Sequence, residues 1–132
     1  MAERDIYREN ILEHYKRPKN FGKMENPDSQ AHDSNPICGD EISFYLKFSS
    51  GRLSDVRFEG SACAICLASA SMLSEEAKGK GIADVQKIGK GKVLSLLGIE
   101  LGPMRLKCAL LPLKVLKLAL YGYMKKRLEN EK

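Results

Sequence analysis

The clearest pattern in the chain is an alternation: Ile42, Phe44, Leu46 and Phe48 are separated by Ser43, Tyr45 and Lys47. Period-two patterning of this kind makes a strand with one buried and one wetted face. Ser49-Ser50-Gly51 supplies a tight turn, and residues 53–58 return with Val56 and Phe58 inward, so the two runs predict an antiparallel hairpin. A short first strand is expected over residues 30–34. Elsewhere the period is helical. Ile6, Tyr7, Ile11, Leu12 and Tyr15 predict an amphipathic helix over 3–16, which Pro18 stops, and the Pro-, Asn-, Gly- and Lys-rich segment 18–27 reads as a surface loop. An Ala-, Leu- and Met-rich run over 63–78 predicts a second helix, closed by Gly79-Lys80-Gly81. Two short helical pieces, 82–88 and 92–97, follow. A last long helix is expected to begin at Leu111 or Pro112, because proline is tolerated in a first turn, with Leu113, Leu116, Leu120 and Tyr123 packed on the sheet. Cys108 then falls just ahead of that helix.

Composition narrows the function classes. With 132 residues, 43% hydrophobic and 30% charged, the chain is expected to form one globular domain over 1–132. No apolar run reaches the roughly 18 to 20 residues that span a bilayer, and Met1-Ala2-Glu3-Arg4-Asp5 has no apolar signal region behind it. A cytoplasmic protein without a membrane partner is the expectation. The net charge of +5 could suggest nucleic acid, but the basic residues are spread thinly. Their densest run, Lys125-Lys126-Arg127, is followed at once by Glu129 and Glu131 and suits the end of a helix, where cations oppose the negative pole of the dipole. No nucleic-acid partner is expected.

The four cysteines carry the chemistry. Without an export signal they point to a metal site or sulfur chemistry rather than a disulfide framework, a hyperthermophilic source being the exception. Cys38 and Asp40 share the turn Asn35-Pro36-Ile37-Cys38-Gly39-Asp40, at the entrance of one hairpin strand; residues 60–63 lie at the exit of its partner, so both belong to the same sheet edge. Cys63 falls at a helix N-terminus, where the dipole and unpaired amides favour a thiolate. Cys38, Asp40, Cys63 and Cys108 are therefore read as four ligands of one metal or iron-sulfur site, carried by a protein that is not an enzyme. A carboxylate is harder than a thiolate and exchanges more readily, which suits a labile centre; a permanent electron-transfer cluster would use four thiolates.

Plainer readings stand beside these. Any one cysteine is a small hydrophobe that packs well in a core, and Asp40 serves equally as a turn cap. Cys66 reads first as inert packing beside Ile65 and Leu67, with a fourth thiolate, a sulfur acceptor or a resolving thiol as alternatives. Lys107 is a solvated charge or a cation that favours the Cys108 thiolate. His14 reads as a packing or hydrogen-bonding residue on a helix face, and His32 as solvent-facing. There is no Gly-rich phosphate loop, nucleophile elbow or acid-base carboxylate pair.

Nearly the whole chain resembles the U-type iron-sulfur cluster scaffold family, which covers IscU, SufU and the N-terminal domain of NifU. The motifs are Ile11-Leu12-Glu13-His14-Tyr15-Lys16-Arg17-Pro18-Lys19-Asn20-Phe21-Gly22, Asn35-Pro36-Ile37-Cys38-Gly39-Asp40, Gly60-Ser61-Ala62-Cys63-Ala64-Ile65 and Arg105-Leu106-Lys107-Cys108-Ala109. The resemblance implies a SufE/NifU-like α+β fold: a three-stranded antiparallel sheet with helices packed on one face and a metal site at one end. It also implies that a cysteine desulfurase of the IscS or SufS type delivers persulfide sulfur, with Cys108 and Cys63 as candidate acceptors. A transient [2Fe-2S] cluster is then assembled on Cys38, Asp40, Cys63 and Cys108 and passed to apo iron-sulfur or carrier proteins. Iron, or zinc in the isolated protein, occupies the same site, and a homo-oligomer stays open.

Departures from the pattern shape the alternative. Lys107 stands where the IscU branch has histidine, which is SufU-like, yet the Cys63 to Cys108 spacing lacks the SufU insertion. Leu101-Gly102-Pro103-Met104-Arg105 differs from the Leu-Pro-Pro-Val-Lys segment read by a dedicated Hsp70 chaperone. Cys66 replaces a usual serine and Ala62 a common glycine. A zinc-dependent sulfurtransferase partner of the desulfurase is the alternative function, and a purely structural zinc domain is the third.

Overall fold

In the computed structural model, which describes residues 3–130, the alternating run becomes the central strand of a three-stranded antiparallel sheet. Helix α1 (Glu3–Lys16) precedes strands β1 (Ser29–Asn35), β2 (Asp40–Ser49) and β3 (Arg52–Ser61). Helices α2 (Ala64–Ala77), α3 (Ile82–Lys87), α4 (Lys90–Leu97) and α5 (Pro103–Asn130) follow. The β2–β3 turn needs two residues in the left-handed region, and Ser50 and Gly51 adopt φ of 52° and 77°.

Register sorts the side chains by face. Phe44 stands opposite Ala31 and Phe58, and Leu46 opposite Ser29 and Val56. Ile42, Phe44, Leu46, Val56 and Phe58 are all fully buried, with Leu73 of α2 and Leu116 and Leu120 of α5 also in the core. Each such side chain contributes on the order of 1.5–3 kcal/mol when taken out of water. The other face carries His32, Ser43, Tyr45 and Glu59, joined by hydrogen bonds from Tyr45 to Glu59 and between His32 and Ser43. The helices therefore lie on one face of the sheet, as expected.

Residues 19–22 of segment 18–27 are tied down. Ser71 and Ser74, both fully buried on α2, hold them: Ser71 Oγ meets His14 Nδ1 at 2.7 Å and accepts the Lys19 N–H at 2.8 Å, while Asn20 Nδ2 donates to Ser74 Oγ at 2.9 Å. Asn20 and Gly22 also exchange backbone hydrogen bonds with Phe58, covering the edge of β3, and Phe21 meets Phe58 edge-on at 5.4 Å.

Helix α5 departs from expectation. It begins at Pro103, not at Leu111 or Pro112, so Pro103 occupies the first helical position and Pro112 lies in the interior. Pro112 has no N–H for the carbonyl of Cys108 four residues earlier, and its ring crowds that carbonyl. The neighbouring carbonyl of Ala109 accepts the Ser69 hydroxyl of α2 at 2.7 Å, which supports the helix at its weak point. Cys108 is accordingly inside α5 and not ahead of it. Helix α4 starts at Lys90, two residues before the expected 92. Met1, Ala2 and Glu131 fall outside the described residues.

Candidate metal centre

The β1–β2 turn builds the first half of the site. Gly39, at φ 75°, donates its N–H to the carbonyl of Asn35 at 2.8 Å, and the Asn35 side chain accepts the Ile37 N–H at 3.2 Å. This closure leaves Ile37 71% exposed while Cys38 packs against the core. Asp40, the first residue of β2, is only 2% exposed. Helix α5 brings Cys108 from the other side. The Cys38 and Cys108 sulfurs and one Asp40 oxygen lie within 4.8 Å of one another, and the Cys108 thiol donates to Cys38 Sγ at 3.4 Å.

Asp40 also reaches the start of α2. Its Oδ1 accepts the backbone N–H of Cys63 at 3.0 Å, whereas its buried Oδ2 has no hydrogen-bond partner. Cys63 caps α2 with an extended backbone, φ −68° and ψ 166°, and its Sγ accepts the Cys66 N–H at 3.4 Å. In that conformation the Cys63 thiol stands outside the group formed by Cys38, Asp40 and Cys108. Cys66 is fully buried in the core. The structure thus brings Cys38, Asp40 and Cys108 together directly and joins Cys63 to them through its backbone.

Electrostatics favour the protonated form of two of these thiols, Cys108 and Cys66. Burial pushes the Cys108 thiol up, and the adjacent Asp40 carboxylate and Cys38 thiol push it further. Burial likewise pushes Cys66 up, followed by the nearby Asp40, Cys63 and Cys38. A divalent cation would reverse this preference by drawing out thiolates. The donor set fits a thiophilic ion. Two thiolates at about 2.3 Å from a tetrahedral zinc stand about 3.8 Å apart, so a few tenths of an ångström of spreading from 3.4 Å admits one, and Asp40 Oδ2 supplies an oxygen that otherwise has no partner.

Lys107 is exposed, and it lines a groove of about 370 Å³ together with Pro36, Ile37, Leu110 and Lys114. His14 and His32 are engaged with Ser71 and Ser43, each away from the thiols.

A family model described as the NifU-like N terminal domain matches residues 6–130. The chain belongs to this family. Its U-type relatives include the iron-sulfur cluster assembly scaffold protein IscU 1 of Archaeoglobus fulgidus, 34% identical over 92% of this chain and 78% of the relative. The zinc-dependent sulfurtransferase SufU of Bacillus subtilis is 35% identical over 85% of this chain and 87% of its own length. Among solved structures, an iron-sulfur cluster assembly scaffold protein for the SUF system from Fervidobacterium islandicum superposes with a TM-score of 0.76 at 32% identity, covering 90% of this chain and 99% of that one. The family assignment and the expected α+β architecture therefore hold. Among the described residues no helix is long and apolar enough to cross a membrane.

Sequence reasoning missed the support behind the centre. Ser69, Ser71 and Ser74 are buried on α2, and they hydrogen-bond respectively to α5, to α1 and segment 18–27, and to segment 18–27. Their signal was present: three hydroxyls inside an otherwise apolar helical run must find partners if that helix is buried.

Proposed function

We propose that this U-type protein is an assembly scaffold: it accepts sulfur from a cysteine desulfurase, builds a transient [2Fe-2S] cluster on Cys38, Asp40, Cys63 and Cys108, and transfers it to apo-proteins. The observation that supports this reading best is the divided role of Asp40, whose Oδ1 holds the Cys63 backbone while Oδ2 is buried and unpartnered beside two thiols. An unsatisfied buried oxygen costs about 1–3 kcal/mol, which an incoming cation would relieve. A hard oxygen in a sulfur-rich set also makes a centre that can be released. Cys63 completes the set by leaving its capping bond to the Cys66 N–H. The whole chain acts as one scaffold domain, without catalytic turnover of its own.

Anaerobic reconstitution with ferrous iron, cysteine and a desulfurase should yield a [2Fe-2S] chromophore that Cys38→Ala abolishes and an apo acceptor removes. Absence of any cluster, with zinc tightly held and desulfurase turnover still stimulated, would sink the reading. That outcome is the signature of the second reading, a zinc-dependent sulfurtransferase partner. It is favoured by Lys107 beside the third thiol and by the similarity to the Bacillus subtilis SufU.

A further inference from the structure

Large hydrophobic side chains left in water gather on two helices: Ile6, Leu12 and Tyr15 on α1, and Leu118, Tyr121 and Leu128 on the second half of α5. The others among the described residues, Phe21, Ile37 and Met104, are scattered singly. Single exposed apolar residues are ordinary, whereas clusters of them mark interaction sites. The charges around the two clusters are opposite. On α5, Lys107, Lys114, Leu118, Tyr121, Lys125 and Leu128 are all exposed at spacings of 7, 4, 3, 4 and 3, which makes one stripe whose only charges are lysines. The whole helix carries seven basic residues and one acid, Glu129. On α1, Asp5, Ile6, Glu9, Leu12 and Glu13 form an exposed acidic and apolar face. Its cations come only at the C-terminal end, Lys16 and then Arg17, which pairs with Glu13 at 2.9 Å.

We propose that the α5 stripe of one copy of this chain receives α1 of a second copy, the two helices running antiparallel. In that direction Asp5 faces Lys125, Leu12 faces Leu118 and Glu13 stands beside Lys117, with Glu9 at the Tyr121 hydroxyl. The parallel direction that sets Asp5 on Lys114 would put Lys16 on Lys125, like charge on like. Two α5 stripes are excluded as partners for the same reason. Length agrees as well: the 14 residues of α1 span about 21 Å, the distance from Lys114 to Leu128 along α5. Lys107 and the metal centre beside it are left uncovered.

The two faces lie on opposite flanks of the molecule. Helix α5 stands on the β1 side, where Lys114 pairs with Asp33 at 2.7 Å, and α1 packs on α2, which lies over β3 at the other edge of the sheet. A contact between unlike faces on opposite flanks is head-to-tail, so each copy offers one face to the copy before it and one to the copy after it. A single pair of short helices buries less than the about 1,200 Å² of a stable complex, so the association is weak and reversible. It is independent of the scaffold reading, since no residue of the metal centre takes part.

Sedimentation equilibrium of the full chain, metal-free and kept reduced so that no disulfide forms, tests this. Association should be measurable at roughly 0.5 mM protein in about 25 mM salt and should weaken by roughly fivefold or more in about 0.5 M salt, where exposed charges are screened. Lys125→Glu and Asp5→Lys, both at exposed positions where the fold is spared, should each weaken it by roughly threefold or more. An equimolar mixture of these two variants should recover the affinity of the unaltered chain, because each reversed charge then meets the other. Tyr121→Ser should weaken association at either salt concentration, since it removes an apolar anchor. A monomer in the low-salt condition would leave the α5 stripe to some other partner and overturn the proposal. Association indifferent to salt, or a mixture no stronger than its two components, would overturn it equally.

Discussion

The side chain of Asp40 holds the backbone N–H of Cys63 at 3.0 Å, joining the first residue of β2 to the cap of α2. The same carboxylate leaves its second oxygen buried and unpaired. Removing it therefore has two opposed effects in the metal-free protein: loss of a bond worth about 0.5–1.5 kcal/mol net, and relief of an orphan costing about 1–3 kcal/mol. Asp40→Ala should change the metal-free unfolding free energy by between about −0.5 and +2.5 kcal/mol, stabilising over most of that range, while slowing cluster transfer to an apo acceptor because the exchangeable ligand is gone. Denaturant melts and a transfer time course measure the two. Transfer at an unchanged or faster rate would remove Asp40 from the role of labile ligand.

Ser71 joins α1 to the following segment through His14 Nδ1 and the Lys19 N–H, and it is wholly buried. Ser71→Ala strands both partners, so a loss of about 1–3 kcal/mol is expected. Limited trypsin digestion should then cut sooner after Lys16 or Lys19. Unaltered cleavage at those bonds would show that the serine does not hold the segment.

The sheet was legible in the sequence because period-two alternation in residues 42–48 has one physical solution, a half-buried strand, and Ser50-Gly51 fixes its turn. Cys63 at a helix start was legible for a similar reason: the polar and glycine-containing residues before it cannot continue a helix. Cys108 was misplaced because two prolines compete to mark one helix start. Pro103 wins, and Pro112 is tolerated inside α5 where Ser69 of α2 supports the adjacent carbonyl. That compensation is a contact 40 residues away in sequence, which no local pattern contains. The proximity of Cys38 to Cys108 came from ligand chemistry and family resemblance, whereas the exclusion of the Cys63 thiol depends on its capping bond and became visible only in three dimensions.

Glu76, near the end of α2, makes a 2.6 Å ion pair with Lys80 and a second at 3.3 Å with Lys92 of α4. These partners hold its carboxyl below the usual glutamate range, led by the Lys80 hydrogen bond. A depressed folded-state value means that its contribution is fully present above the unfolded value, near 4.5, and is lost as the pH falls through the folded one. Glu76→Gln should lower stability at neutral pH by about 0.5–1 kcal/mol and by progressively less below pH 4.5, converging with the unaltered chain. Melting curves between neutral pH and acid check this. Parallel curves would place the effect in packing and not in charge.

Pro112 interrupts the α5 ladder at the carbonyl of Cys108, in the turn that carries the third thiol. Replacing it by alanine supplies the missing N–H and removes the ring's crowding, an effect of up to about 3 kcal/mol in a helix interior, partly offset by the greater freedom of the unfolded chain. Pro112→Ala should therefore raise the melting temperature of the metal-free protein. It should also slow amide exchange over residues 108–112, since local opening of that turn now breaks a regular hydrogen bond. If the turn must loosen for Cys108 to release its cargo, cluster transfer will slow in the same variant, while the absorption spectrum of the loaded protein stays unchanged. A variant that is less stable and exchanges faster would mean that α5 is bent to fit Pro112 and that a regular turn cannot form there without loss of packing.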